Sequence, residues 1–231
     1  SVIATFCDNV SHDLPIVIHD ESTQMHLAYT DDVAESLCDL LDDKTTREGA
    51  YCVVPVSYHA LLGDIANRIR SFRGIREGNI LPNMSEPLTR KLYATYISFL
   101  PVMEFSYPLE MREDANGSVT EFLRPSTGGQ ISVNVCKPGM TRGNHWHHTR
   151  AEKFLVVSGV GVIKFRRIDM DDVIEYPVSG KKHVVVDIPV GYAHCIENTG
   201  KTDLVTLMWS SECCDGAQAD SVPADVLQAE E

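Results

Sequence analysis

Apolar positions along this chain follow two different rhythms, and the change falls near Pro101. Before it, helical and strand periods alternate. Ser1–Ser11 and Glu86–Phe99 read as helices, the second stopping before Pro101, which cannot continue one. Asp31 sits where an N-cap belongs, ahead of a helix to about Leu41 with an acidic first turn. Leu61, Ile65, Ile69 and Phe72 recur at helical steps, which predicts a helix from Ser57 to Phe72. Short runs at Pro15–Ile18, Gln24–Tyr29 and Tyr51–Pro55 read as strands. After a connector at Met103–Glu113 the pattern becomes strand upon strand. Gly117–Arg124, Gln130–Lys137, Asn144–His148, Lys153–Ser158, Gly161–Arg167, Val173–Val178, Lys182–Ile188, His194–Asn198 and Leu204–Trp209 are separated by turn signals such as Ser179-Gly180. Many short strands with tight turns predict a sandwich or barrel, the double-sheet jelly roll among them. The fold class expected is α+β: a mixed first part, 1–102, an all-β second part, 103–212, and an acidic tail, 213–231, read as a solvated, frayed end.

Composition narrows the partners more than the fold. A net charge of −13 excludes non-specific nucleic-acid binding, which needs a basic footprint, but allows a small anion in a local cationic pocket. The longest apolar runs are too short to cross a bilayer as helices, so no membrane association is expected. Seven cysteines, an odd number without CxxC spacing, suit a reducing cytoplasm better than a disulfide scaffold. The chain opens on Ser1 inside a predicted helix, as the middle of a longer protein would.

The chemistry-bearing residues lie in the second part. His145 and His147 are two apart on a predicted strand and so share a face, with Trp146 on the other. Glu152 returns across a short turn, and His194 arrives from a distant strand. Three imidazoles and a carboxylate suit Zn, Fe, Mn, Co or Ni and do not choose among them; zinc is the expectation carried forward.

The run Gly139-x5-His145-x-His147-x4-Glu152-x6-Gly159, followed by Pro189-x-Gly191-x2-His194-x3-Asn198, resembles the two signature motifs of the cupins. One departure is His183, where the second motif usually has glycine. The resemblance implies a double-sheeted jelly-roll barrel and a divalent ion on His145, His147, Glu152 and His194. Gly117–Arg124, Ser132-Val-Asn-Val and Arg142-Gly143-x-His145 are similar to the nucleotide-sugar 3-epimerase cupins. That likeness implies diphosphate binding by Arg142 and a base at His145, a role that conflicts with ligation; the tyrosine those enzymes carry on the last strand is replaced here by Met208-Trp209.

Longer stretches narrow the family. Gly143–His148, Glu152–Gly159, Asp187–Tyr192 and Ile196–Asn198 to Met208-Trp209, with Thr5–Asn9, Asp13–Ile16, Tyr29–Val33 and Arg90–Tyr96, closely resemble the bifunctional capsular-polysaccharide enzymes. These reduce UDP-2-acetamido-2,6-dideoxy-hexos-4-ulose on the way to UDP-N-acetyl-L-fucosamine. The likeness implies a cupin that epimerises C3 of the UDP-4-keto sugar, and a first part drawn from the later, substrate-side portion of a short-chain dehydrogenase domain. It also implies a homodimer, with His148 and Tyr192 as candidates for proton transfer and Arg142 and Lys153 for the diphosphate; Lys164 and Arg166 are weaker candidates. No Gly-rich turn follows a first strand, and no tyrosine is followed four residues on by lysine. NADPH and the reduction at C4 are therefore expected only in a full-length parent. A non-catalytic, metal-stabilised dimerisation module and a metal-dependent cupin oxygenase remain the competing readings.

Overall fold

The computed structural model describes residues 1–213 and 220–227, and the chain divides into two units. The first comprises Ser1–Glu77 and Pro82–Tyr107. It holds α1 (Val2–Ser11), β1 (Gln24–Leu27), α2 (Thr30–Leu41), β2 (Arg47–Glu48), β3 (Tyr51–Cys52), β4 (Tyr58–Leu61), most of α3 (Leu62–Gly78) and α4 (Pro87–Ser98). Helical spacing builds its core: Phe6 and Val10 from α1, Ile65, Ile69 and Phe72 from α3, and Leu88, Leu92 and Tyr96 from α4 are all buried. Two expectations fail here. The segment before α3 is not helical; Tyr58–Leu61 pairs antiparallel with Gln24–Leu27, and the helix starts only at Leu62. Pro15–Ile18 is not a strand either. Ile16 and Ile18 pack on the helical core, and the Pro15 and Ile16 carbonyls accept from the side chains of Asn9 and Arg70 instead of a neighbouring strand.

The second unit, Gly78–Leu81 with Pro108 onward, is the β structure. Its strands are β5 (Ile80–Leu81), β6 (Met111–Asp114), β7 (Gly117–Pro125), β8 (Gln130–Cys136), β9 (Thr141–Trp146), β10 (Glu152–Ser158), β11 (Val160–Arg167), β12 (Val173–Ser179), β13 (Val185–Ile188), β14 (Tyr192–Asn198), β15 (Leu204–Ser210) and β16 (Val222–Pro223). One sheet runs β13-β10-β15-β8-β7-β5, with β6 also on β7; the other runs β12-β11-β14-β9-β16. This is the double-sheeted jelly roll of a cupin. Alternate residues meet between the sheets: Phe154 and Val156 from β10, Ile163 and Phe165 from β11, Ile196 from β14 and Leu204 from β15 are buried together.

Two features place the site. Asn144 adopts a left-handed backbone (φ 59°) and forms a bulge in β9: His145 pairs with His194, but Gly143 pairs with Cys195. The extra residue lets both Arg142 and His145 stand opposite inward residues, Ile196 and His194. Gly143 (φ 108°) lies against β14 so closely that a Cβ there would sit 2.7 Å from the His194 carbonyl oxygen.

The second feature corrects the frayed-tail expectation. Residues 220–227 lie on the barrel: β16 pairs with β9, and Val226 is fully buried with Ala193 and Cys195 on the outer face of β14. Val222 and Val226 carry the apolar surface that the acidic composition masks. Residues 214–219 and 228–231, which include Cys214, lie outside the described residues. Of the cysteines described, Cys7, Cys136 and Cys195 are buried, Cys213 is half-buried, and Cys38 and Cys52 are exposed. Among the described residues no helix is long and apolar enough to cross a membrane.

Gly143→Ala is expected to destabilise the chain by about 1–3 kcal/mol, the usual cost of forcing such backbone and crowding. Urea unfolding followed by circular dichroism checks it, and an unchanged midpoint would contradict the close approach described.

Candidate metal centre

The two sheets contribute unequally to one cluster. His145 on β9, His147 just past its end and His194 on β14 come from one sheet; Glu152, the first residue of β10, comes from the other. The period-two rule puts Glu152 with Phe154 and Val156 facing inward, and Lys153 outward. One ligand atom from each residue lies within 4.8 Å of every other, and His147, Glu152 and His194 are almost completely buried.

The tautomers suit ligation. His147 Nδ1 hydrogen-bonds the Asp220 carbonyl, and His194 Nδ1 lies 3.3 Å from the Tyr192 carbonyl. A carbonyl can only accept, so each ring turns its Nε2 lone pair inward, the orientation that outer partners give metal-binding histidines. Nε2 of His147 and of His194 each stand 3.3 Å from Glu152 Oε2. His145 Nε2, His194 Nε2 and Glu152 Oε2 are buried without a hydrogen-bond partner. Inward lone pairs left unsatisfied in a dry interior are what a divalent cation would satisfy, so the donor set fits one.

The charge states agree. Burial, with His194 and His147 close by, pushes His145 down to about 4, leaving it neutral at ordinary pH. Burial alone would raise the Glu152 carboxyl, but the charge of the buried Arg150 beside it favours the ionised form, and the carboxyl lies below the usual range. Arg150 went unrecognised in the sequence. It is buried, with Nη2 3.1 Å from Glu152 Oε1 and 3.0 Å from His147 Nε2. A bound ion would share the carboxylate with it and take over the His147 lone pair.

The cluster opens on a cavity of about 190 Å³. His145, Glu152 and Arg150 form part of its wall, with Gln130, Ser132 and Ser210 offering polar groups. The other sequence candidates are not brought there. His148 points to the opposite face from His147, 61% exposed, its ring against Trp146 and its Nδ1 3.0 Å from the Asp220 carboxylate. Lys153 is outward and paired with Asp187. Arg142 faces inward but is engaged by Asp114 at 2.7 Å. Tyr192 is half-buried against the apolar core, two residues before His194. Lys164 is paired with Glu197 and Glu175, and Arg166 is buried under the chain end, donating to the carbonyls of Asp225 and Val226.

Residues 112–222 match the family described as the polysaccharide biosynthesis C-terminal domain. A curated relative from Pseudomonas aeruginosa, UDP-2-acetamido-2,6-beta-L-arabino-hexul-4-ose reductase, is 36% identical over 226 residues, covering 98% of this chain and 60% of the relative. A crystal structure of the capsular polysaccharide assembling protein CapF from Staphylococcus aureus matches with a TM-score of 0.94 at 46% identity, over 97% of this chain and 61% of that one. CapF with the inhibitor 3-isopropenyl-tropolone matches with a TM-score of 0.93 at the same identity, with 65% of that chain covered. The chain thus spans about six tenths of the length of these relatives. The capsular-polysaccharide resemblance read in Gly143–Gly159 is the one these relatives carry.

The depressed His145 value sets a pH window. Its folded pKa of about 4 lies below the ordinary 6.5, so between these values the unfolded chain binds more protons and stability rises with pH. The chelator-treated chain is therefore expected to lose stability as pH falls from about 6.5 toward 4, and His145→Asn to flatten the dependence. Urea midpoints at pH 7 and pH 5 measure it; equal slopes for the two proteins would exclude His145 as the cause.

Proposed function

We propose that the barrel epimerises C3 of a UDP-4-keto-6-deoxy-N-acetylhexosamine. In a full-length parent an NADPH-dependent reduction at C4 would follow, on the way to UDP-N-acetyl-L-fucosamine. The observation that carries this reading is the inward His145–His147–Glu152–His194 set opening on a cavity of about 190 Å³ whose wall includes Arg150, Gln130 and Ser132. Its support from likeness is a relative named for a UDP-hexulose substrate. The C3 proton lies beside a ketone, and its removal leaves an enolate that can be reprotonated from the other face. A divalent ion, zinc in this proposal, would supply Lewis-acid polarisation of the ketone when bound.

The chain's own residues would do the rest. Arg150 and Gln130 place hydrogen-bond donors on the cavity wall, where they can face developing negative charge. His148 and Tyr192 stay the proposed proton-transfer pair only if substrate binding draws them in, since neither lines the cavity. Arg142 would meet the diphosphate by exchanging Asp114 for it, and Lys153 by exchanging Asp187. A cytoplasmic setting fits the free thiols.

The proposed homodimer has a candidate face. Val185, Leu155, Leu207 and Val133 are register neighbours across β13, β10, β15 and β8, and Trp209 follows beside Ile131. Val185 is 55% exposed and Trp209 37%, so this outward face of the barrel is apolar where a lone sheet would be polar. Leu207→Glu is expected to lower the molecular mass seen by light scattering toward that of a single chain; an unchanged mass would move the interface elsewhere.

Deuterium exchange at C3 tests the chemistry. The zinc-loaded chain in D2O, given the UDP-4-keto sugar without NADPH, is expected to wash deuterium into C3, and Glu152→Gln to lose most of that rate. No exchange from a folded, metal-loaded chain sinks the epimerase reading and favours a metal-braced module. Oxygen uptake with a small substrate would favour an oxygenase.

A further inference from the structure

The carboxy-terminal segment Asp220–Val226 does more than cover the barrel. It crosses the outer face of the β9–β14 sheet, and its contacts concentrate on the residues that carry the metal ligands. Asp220 Oδ1 accepts from the His148 backbone N–H at 3.0 Å and approaches His148 Nδ1 at 3.0 Å. Its Oδ2 accepts from the Thr149 N–H at 2.7 Å, the Thr149 hydroxyl at 3.2 Å and the Arg150 N–H at 3.1 Å. One carboxylate thus gathers His148, Thr149 and Arg150, three of the four residues between His147 and Glu152. The three backbone N–H groups hold it well below the usual carboxylate range, so it stays charged. The carbonyl of the same residue takes His147 Nδ1.

Further along, the segment is tied to the bulge. Val222 and Pro223 pair with Trp146 and His145. The Ala224 N–H donates to the Asn144 carbonyl at 2.9 Å, and the Val226 N–H to Asn144 Oδ1 at 3.4 Å. Arg166 holds the far end by donating to the Asp225 and Val226 carbonyls, at 2.8 and 3.1 Å. Val226 is fully buried between these anchors.

We infer that Asp220 is a positioning residue of the metal centre: its carboxylate sets the 147–150 turn, and its carbonyl fixes the His147 ring so that Nε2 is offered to the ion. The inference rests on the metal reading of the cluster and not on the sugar chemistry. Its physical basis is that an imidazole with a free Nδ1 can rotate or change tautomer, and either removes one lone pair from the set. Loss of such an outer partner usually costs about 10–100-fold in metal affinity.

The test uses the whole 231-residue chain, loaded with Zn2+ or with Co2+. Asp220→Ala removes every carboxylate bond and frees the carbonyl to drift. It is expected to release Zn2+ to a chelator about 10–100-fold faster than the wild type, and to change the visible absorption of the cobalt form, which reports ligand geometry. Asp220→Asn keeps the shape and one acceptor oxygen, and should fall between the two. Val226→Ala loosens the segment by packing alone. It is expected to lower the melting temperature while leaving the cobalt spectrum as in the wild type.

Circular dichroism establishes folding, and if Asp220→Ala does not fold, Asp220→Asn carries the same two readouts. A folded variant with wild-type release and spectrum overturns the inference. So does a Val226→Ala chain that matches Asp220→Ala in both, because the effect is then general softening. A wild-type chain that takes up neither Zn2+ nor Co2+ overturns the metal reading itself, and that arm separates the two failures.

Discussion

Bringing one carboxylate and three imidazoles to a single point in a dry interior is the constraint on which the barrel depends. Glu152 is reached from one sheet and the histidines from the other, so the cluster exists only while the two sheets face each other in one register. A buried carboxylate is costly unless compensated. Arg150 compensates from one side, and the inward lone pairs leave room for a cation on the other. The apolar layer of Phe154, Val156, Ile163, Phe165 and Ile196 then has two tasks: it binds the sheets together, and it keeps water from screening the cluster.

The sheet that carries the histidines is protected on both sides. Inward, β14 presents His194 and Ile196; outward, Ala193 and Cys195 are covered by Val226, Ala224 and Trp146. A strand buried on both faces loses the alternation that marks a half-exposed one. The same cover lets a segment distant in sequence reach the ligand turn, through Asp220, from outside the barrel.

Much of this was legible in the residues. The spacing of His145, His147 and Glu152 encodes a shared face followed by a turn, and that local geometry survives into the fold. The β strands after Gly117 were readable because Gly and turn residues punctuate them. Arg150 and Asp220 were not readable, since each acquires meaning only through partners reached by folding, Asp220 through residues some seventy positions earlier. Other misses had signals in plain view. The period-two rule that joins His145 to His147 also places His148 with Trp146, away from the cluster. Val222 and Val226 are apolar punctuation in an otherwise acidic run, and composition averaged them away. In the first unit the apolar pattern near Ser57 fitted a helix, but Tyr58 to Leu61 found a strand partner in Gln24–Leu27, and tertiary pairing overrode local preference.

The bulge at Asn144 makes β9 a strand of two parities. Upstream of it, even-numbered residues look inward, as Arg142 does; downstream, odd-numbered residues do, as His145 and His147 do. The residue count and the backbone shape at Asn144 therefore have to be kept together. A chimera or loop graft that keeps the number of residues between Arg142 and His145 but lays them down as regular strand would lose the bulge and turn the ligands toward solvent. A splice one residue shorter with a regular strand there, or one of equal length that keeps a left-handed residue at 144, would keep the ligands inward.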